Sequence, residues 1–213
     1  MKKQSNFSLF NYIKNNKHVL LLLYYPIYLP IFAYLNSGLQ RNYHIIELPI
    51  DRMIPFCEWF VIPYVVWYLY IFAAPVYLLL KDKFEFKRFM YMLIVSFSFS
   101  LLMFTFYPTG QMLRPEAAPN NIAGFICSII WAADPPYNVL PSMHVLGTLF
   151  SCVSITLTPT IKSKLFKICY NIMGVLIIMS TCFIKQHSVI DTVFAIIVFI
   201  PILVSSKWVV KNK

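Results

Sequence analysis

Charged residues are scarce in this sequence. Asp, Glu, Lys and Arg make up 12% of the 213 residues, whereas hydrophobic residues make up 59%. A typical soluble domain is about 25% charged, so the composition excludes an ordinary soluble protein. Internal repeats and low-complexity tracts are also lacking. Together with a mean hydropathy of +0.68, these features indicate an integral membrane protein.

Apolar runs long enough to cross a membrane, about 20 residues each, occur six times. The predicted spans are His18–Leu35, Trp59–Leu80, Phe89–Tyr107, Ser142–Thr158, Phe166–Ile184 and Ser188–Val204. We therefore predict an all-α polytopic membrane protein in which residues 1–213 form a single domain with six transmembrane helices. Residues 1–17 are polar and basic, and we expect a cytoplasmic segment that leads into an uncleaved first span.

Acidic residues are few, eight against 18 Lys and Arg, which gives a net charge of +10. A nucleic-acid site would need these cations on one continuous face. Instead, 14 of them fall in the two termini and in the second and fourth connections between spans. By the positive-inside rule these segments are cytoplasmic, so the excess indicates orientation and contact with anionic lipid head groups. We expect no nucleic-acid partner.

Cysteines with the spacing of a metal site are lacking, and three of the five lie inside predicted spans, where a thiol behaves as a small hydrophobe. Cys57 and Cys127 both fall on the predicted outer side and could pair. Nothing else in the sequence indicates a disulfide framework, so the pairing is left open.

The outer connections are richer in polar residues. The longest runs from Pro108 to Pro141 and contains an apolar segment, Ile122 to Ala133, which is too short to span. We expect this segment to lie in the interface or to fold over the outer ends of the helices. The first outer connection is expected to form a solvated rim from six polar residues: Arg41, His44, Glu47, Asp51, Arg52 and Glu58.

The seven residues from Lys185 to Asp191 place a cation, an imidazole and a carboxylate in an otherwise apolar stretch. On a helix, His187 and Asp191 share one face, so the carboxylate can bond one ring nitrogen and leave the other free. That arrangement prepares a histidine as a nucleophile or base. The alternative is a histidine that caps a helix, with the aspartate facing a neighbouring helix.

Three clusters of polar residues are predicted at one membrane level on the outer side. Arg114 follows the third span, and Ser142 and His144 open the fourth. Lys185, His187 and Asp191 lie at the junction of the fifth and sixth spans. Because ionisable groups near a bilayer are costly, their coincidence favours a functional site over chance placement.

Each member of these clusters has a use if the substrate is a phosphate ester. Arg114 and Lys185 supply positive charge, the arginine in a bidentate manner. Ser142 offers a hydroxyl at a helix start, where backbone N–H groups are free. His187 can attack phosphorus, and His144 can protonate the leaving oxygen. Two histidines and a carboxylate would also suit zinc, but the adjacent cations would repel it, so we expect neither a metal nor a cofactor.

These motifs resemble those of the type 2 phosphatidic acid phosphatase superfamily. Pro141-Ser142-Met143-His144 is similar to its PSxH element, Ser180 through Asp191 to its S-R-x5-H-x3-D element, and Arg114-Pro115 to the end of its K-x6-R-P element. The order of the motifs and their placement between six spans also fit, and the resemblance covers most of the chain from about residue 50 onward.

The resemblance implies a membrane phosphatase in which His187 forms a phosphohistidine, Asp191 orients it and His144 is the general acid. Two family cations are missing, because Tyr107 stands where a lysine is expected and Thr181 where a second arginine is expected. Lys185 could replace one of these cations, and the Tyr107 hydroxyl could donate a hydrogen bond to the phosphate.

The expected activity is metal-independent hydrolysis of a lipid phosphomonoester or diphosphate at the extracytoplasmic side. By resemblance, the substrate classes are phosphatidate, phosphatidylglycerophosphate and polyprenyl diphosphate. One alternative is a lipid phosphotransferase similar to the sphingomyelin and inositol-phosphorylceramide synthases, with an alcohol as acceptor. A second is a non-catalytic transporter or lipid-binding protein, which the two missing cations favour and the intact His144, His187 and Asp191 oppose.

Overall fold

The computed structural model describes residues 16–37 and 42–211. In that part of the chain the helices, in order, are α1 (Lys17–Asn36), α2 (Pro49–Met53), α3 (Glu58–Lys81), α4 (Lys83–Phe106), α5 (Ile122–Ala133), α6 (Met143–Leu157), α7 (Lys164–Phe183) and α8 (Val189–Val209). The first turns of α1 and α3 are 3₁₀. Two short strands, β1 (His44–Ile45) and β2 (Thr109–Gly110), pair in parallel.

Five of the described helices, α1, α3, α4, α7 and α8, are long and apolar enough to cross a membrane. The predicted all-α polytopic membrane protein is thus confirmed. The fourth predicted span, Ser142–Thr158, is the 15-residue helix α6, whose length of about 22 Å is less than the roughly 30 Å hydrocarbon core. Because α6 packs against α3, α4, α7 and α8, protein rather than lipid surrounds most of it.

Small residues on α6 allow its neighbours to approach closely. Gly147, Ser151 and Ser154 lie on buried positions of the helix, and small residues are favoured where membrane helices pack. The Ser151 hydroxyl donates to the Gly147 carbonyl at 2.7 Å, so its burial leaves no donor unpaired. Phe150 packs edge-on against Phe89 of α4 at 5.0 Å between ring centroids. The hydrophobic core therefore centres on α6.

Polar side chains fix where five helices begin. Each stands before the first helical residue and accepts a backbone N–H of the first turn: Asp82, Asn121, Ser142, Ser163 and Ser188. Such caps satisfy donors that have no partner within the helix. The start of α6 at Met143 and of α8 at Val189 is thus encoded locally, and both starts carry predicted site residues.

One end of the helix bundle collects the cationic segments. Lys83 donates to the Asn16 side chain at 2.8 Å, and the Thr158 hydroxyl donates to the Asp82 carboxylate at 2.7 Å. Lys167 donates to the Thr158 carbonyl at 2.8 Å. We call this the basic end, formed by residues 16–18, 81–88, 158–167 and 207–211. Segments that the charge pattern placed on one side of the membrane therefore lie together.

The opposite end carries the outer connections. Gly110 of β2 bridges to Tyr137, so the strand pair joins the first outer connection to both halves of the long one. Helix α5 has the bounds predicted for the apolar segment, and its buried face packs on Val61 and Tyr64 of α3. It therefore folds over the end of the bundle. Cys127 on α5 and Cys57 are free thiols.

Candidate active site

The capping turn at the start of α8 brings His187 and Asp191 together. Asp191 is the third residue of the helix, and its Oδ2 accepts the Ser188 N–H at 3.0 Å. The same oxygen lies 3.2 Å from Nδ1 of His187. His187 precedes the helix, so the expected contact forms through the cap and not, as predicted, along one helical face. The other ring nitrogen of His187 is left free of Asp191.

His144, the second residue of α6, lies in an aromatic clamp from α3. Its ring centroid is 4.6 Å from that of Tyr64 and 4.2 Å from that of Trp67. A Cβ on Gly147, one turn along α6, would lie 3.2 Å from the Trp67 ring, so the glycine makes room for the indole. Among the described residues, the buried Nε2 of His144 has no hydrogen-bond partner.

The two histidines meet at one cavity. Their ring centroids are 5.6 Å apart with an interplanar angle of 60°, and both line a cavity of about 510 Å³. The starts of α6 and α8 are also linked directly, because the Ser142 N–H donates to the Asp191 carbonyl at 3.4 Å. His144, His187 and Asp191 thus form one cluster, although up to 47 positions separate them in sequence.

Eight aromatic side chains line the cavity, which extends between α1 and α3. They are Tyr25, Tyr28, Phe32, Trp67, Tyr68, Phe72, Phe97 and Tyr137. The polar lining residues are Asn36, Asp134, Asn138, His144, Gln186 and His187. Within residues 16–37 and 42–211, no lysine or arginine lines this cavity. Outside the cluster of His144, His187 and Asp191, the cavity is therefore suited to apolar groups and to polar groups of low charge.

Several polar atoms of the lining residues are buried without a partner. In the described part of the chain they are Tyr25 Oη, Trp67 Nε1, Asn138 Oδ1 and His144 Nε2. Buried polar atoms are nearly always hydrogen-bonded in folded proteins, because an unpaired one is costly. Two donors, an acceptor and an imidazole nitrogen thus remain for a polar ligand.

Arg114 lies behind the cavity and is held by protein oxygens. It donates to the carbonyls of Trp131, at 3.1 Å, and Asp134, at 2.6 Å, and to the Gln186 side chain. Burial lowers the pKa of the Arg114 guanidinium, and the nearby Asp134 opposes that effect. Since arginine stays charged in proteins, Arg114 adds positive potential without lining the cavity.

Lys185 points away from the histidines. Its ammonium donates to the carbonyls of Asp51, at 2.7 Å, and Ile54, at 2.6 Å, at the end of α2. Burial lowers the pKa of Lys185, and Asp51 opposes that effect. The structure therefore does not bring this cation into the cavity. Lys185 lies in the turn between α7 and α8 and has a positive φ of 57°.

Tyr107 and Ser142, the other two residues predicted to contact the phosphate, also bond or stack with protein groups instead. Tyr107 is 43% exposed and stacks on His44 with 4.4 Å between ring centroids, outside the cavity. The Ser142 hydroxyl is buried and accepts the Val145 N–H at 3.3 Å as the cap of α6. Thr181, where the resemblance implies a second arginine, is buried, and its carbonyl accepts the N–H groups of residues 186 and 187.

Asp51 was predicted to be part of a solvated rim, and that prediction is wrong. The residue is 2% exposed, and its carboxylate accepts the Ser188 hydroxyl at 2.5 Å and the N–H groups of Val189 and Leu48, each at 2.7 Å. The reason is that α2 lies against the start of α8, 137 residues away. Nothing near Asp51 in sequence signals this contact, although Pro49 before it does signal a helix start.

A second network missed by the sequence analysis flanks His187. The Gln186 amide donates to the Asp134 carboxylate at 3.0 Å, and the Tyr64 hydroxyl donates to the same oxygen at 3.1 Å. Gln186 also accepts from Arg114. The negative charge of Asp134 is thus compensated by the hydrogen bonds from Tyr64 and Gln186 and by the nearby Arg114. The network fixes the backbone beside His187, and only the rarity of polar residues in apolar surroundings could have indicated it.

Groups of at least three His, Cys, Asp or Glu side chains that could hold a metal ion do not occur in the two described ranges. Comparisons with protein-family models, curated proteins and solved structures give no match. The geometry of the cavity and the sequence motifs are therefore what indicate a function.

Proposed function

We propose that this chain is a membrane-embedded, metal-independent phosphatase that hydrolyses a lipid phosphomonoester or diphosphate through a phosphohistidine at His187. Phosphatidate, phosphatidylglycerophosphate and polyprenyl diphosphates are the substrate classes. The observation that carries the proposal is the pair of imidazoles, 5.6 Å apart between centroids, that line one cavity while Asp191 holds Nδ1 of His187.

The proposed chemistry has two steps. Nε2 of His187 attacks phosphorus, the bond to the lipid oxygen breaks, and His144 gives its proton to that oxygen. Water then attacks the phosphohistidine, His144 takes a proton from the water, and inorganic phosphate leaves. Asp191 stabilises the positive charge on His187 in the first step. The unpartnered Nε2 of His144 supports its assignment as the acid.

The lipid tail reaches the cavity from the side. Tyr25, Leu29 and Phe32 of α1 face Tyr68 and Phe72 of α3 across the chamber, and Leu29 and Phe72 are exposed on the outer surface of the helices. Aromatic and aliphatic walls suit an acyl or prenyl chain. A substrate can therefore stay in the bilayer while its phosphate meets the two histidines.

The charge of the cavity favours a second candidate, a lipid phosphotransferase. A terminal phosphate carries up to two negative charges, whereas a phosphodiester carries one. Arg114 and Lys185 both donate to protein oxygens, and no described lysine or arginine lines the cavity. The unpaired atoms of Tyr25, Trp67 and Asn138 would suit the hydroxyl groups of a diester head group or of an alcohol acceptor.

Assays on the purified full chain test the proposal. We expect phosphate release from lipid phosphates with chelator present, inhibition by vanadate and loss of turnover in His187→Ala. His44→Ala is the matched control, since His44 is exposed and outside the cavity. Activity equal to wild type in His187→Ala, or a strict need for added metal, would contradict the mechanism.

A labelled phosphodiester lipid separates the two candidates. If the chain is a transferase, a labelled product with an added alcohol exceeds the product with water, and phosphomonoesters are poor substrates. If the chain is a phosphatase, free phosphate accumulates from monoesters whether or not alcohol is present. Both outcomes keep His187 as the nucleophile.

We also propose that the site faces the extracytoplasmic side. The support is that the cavity lies at the end opposite the basic end, and cationic segments favour the cytoplasm. Met112→Cys, in a chain whose five native cysteines are replaced by serine, tests this in sealed cells, because Met112 is 78% exposed in the long outer connection. Labelling by an impermeant maleimide is expected, with Ser163→Cys at the basic end, in the same cysteine-free chain, as the protected control.

A further inference from the structure

A second large groove lies at the basic end, far from the histidines. Its volume is about 520 Å³, and its walls come from α1, α4 and the end of α8. The lining residues are Leu21, Lys87, Tyr91, Ile94, Val209, Val210 and Lys211. The proposed reaction uses none of them.

The groove combines cations at one level with an apolar floor. Lys87, Tyr91 and Ile94 are spaced four and three apart, so they lie on one face of α4. Along that face the cation comes first, at the basic end, and the aromatic and aliphatic side chains follow deeper in the span. Tyr91 also donates to Ser205 of α8 at 3.0 Å, which joins the two walls of the groove.

Acidic side chains that could neutralise these cations are already engaged. The sequence has two acids at the basic end, Asp82 and Glu85. Glu85 pairs with Arg88 at 2.9 Å, and Asp82 accepts from Thr158 and from a backbone N–H. Neither Lys87 nor Lys211 forms an ion pair in the residues that the structure describes. Among the described residues, no acidic side chain is therefore left to neutralise Lys87 and Lys211, so the groove can accept an external anion.

We propose that the groove binds one anionic phospholipid, whose phosphate lies between Lys87 and Lys211 while an acyl chain runs over Tyr91 and Ile94. The apolar floor favours a lipid over free phosphate, because a soluble anion would leave that floor exposed. Cations near a membrane surface attract anionic lipids in this manner. The site is independent of the reaction at His187.

Native mass spectrometry of the delipidated full chain, titrated with phosphatidylglycerol, tests the site. We expect one tightly bound copy, with phosphatidylcholine and water-soluble glycerophosphoglycerol much weaker. Each lysine should contribute roughly fivefold in affinity, and the pair roughly thirtyfold. The variant is therefore Lys87→Gln with Lys211→Gln. Its control is Lys162→Gln with Lys164→Gln, which removes equal charge from exposed positions at the same end.

Three outcomes would overturn the inference. The groove variant could keep the affinity of the control, which would assign the binding to general charge. Glycerophosphoglycerol could compete as well as the intact lipid, which would make the site one for free phosphate esters. The full chain could bind no copy tightly, as expected if another segment fills the groove.

Discussion

Nδ1 of His187 and Oδ2 of Asp191 lie 3.2 Å apart at the start of α8, with the histidine just outside the helix and the aspartate in its first turn. The aspartate therefore has two tasks. It caps the helix through the Ser188 N–H, and it fixes which nitrogen of His187 faces the cavity. In the proposed reaction, a change at Asp191 should affect both chemistry and helix stability.

Replacing Asp191 by asparagine tests its second task, its action on His187. The amide keeps the size of the side chain but removes the charge that stabilises the His187 imidazolium, so kcat should fall by about 100-fold to 10,000-fold. Steady-state kinetics on a lipid phosphate give the measurement. A kcat within twofold of wild type, in a variant with a normal melting temperature, would remove Asp191 from the mechanism.

Asp51 should act as a positioning residue. Asp51→Asn weakens the acceptor for the Ser188 hydroxyl and the Val189 N–H, which hold the start of α8. We expect a loss of about 1–3 kcal/mol in stability and a lower kcat with little change in KM. Glu116→Gln, at an exposed acid, is the control. A change in KM alone would mean that Asp51 contacts the substrate.

Lys185→Ala separates a structural role from a phosphate-binding role. Because the ammonium donates to the carbonyls of buried Asp51 and half-buried Ile54, its loss should cost about 1–3 kcal/mol in stability, with KM nearly unchanged. Chemical denaturation in detergent and steady-state kinetics measure the two effects. Normal stability combined with a large rise in KM would instead support the view that Lys185 binds the substrate phosphate.

The wall of the cavity gives a prediction about substrate length. Ala33 of α1 lines the cavity, and Ala33→Trp should obstruct the path of a lipid tail. We expect KM to rise roughly tenfold for a long-chain lipid, with little effect on a short-chain analogue. Val76→Trp, on the exposed face of α3 away from the cavity, is the control. Equal effects on both chain lengths would contradict lateral entry.

Seven of the eight described helices could be predicted, because each is an apolar run close to 20 residues or a capped segment, whereas the five-residue α2 was not predicted. Ser142 and Ser188, which start α6 and α8, are recognisable as caps from sequence. The bounds of α5 follow from Asn121 before an apolar segment and Asp134 after it. The capping residues in the sequence thus account for the start of α6, which carries His144, and for the capping turn of α8, which brings His187 and Asp191 together.

The partners of the site could not be predicted, because they depend on contacts between distant segments. Lys185 was predicted to bind phosphate from its charge, and Arg114 from its charge and its motif, yet their donors bond carbonyls of α2 and of the end of α5. Asp51 and Gln186 carried no local signal of burial. A single sequence reports which residues are unusual in a membrane, but not which of them meet.

Rapid-quench labelling with a ³²P-labelled lipid phosphate, followed by mapping of the labelled peptide, tests the central claim most directly. We predict an acid-labile, base-stable phosphoryl group on His187 that forms before phosphate release and is absent in His187→Ala. Turnover that proceeds without any phosphohistidine, or with the label on a different residue, would contradict the account.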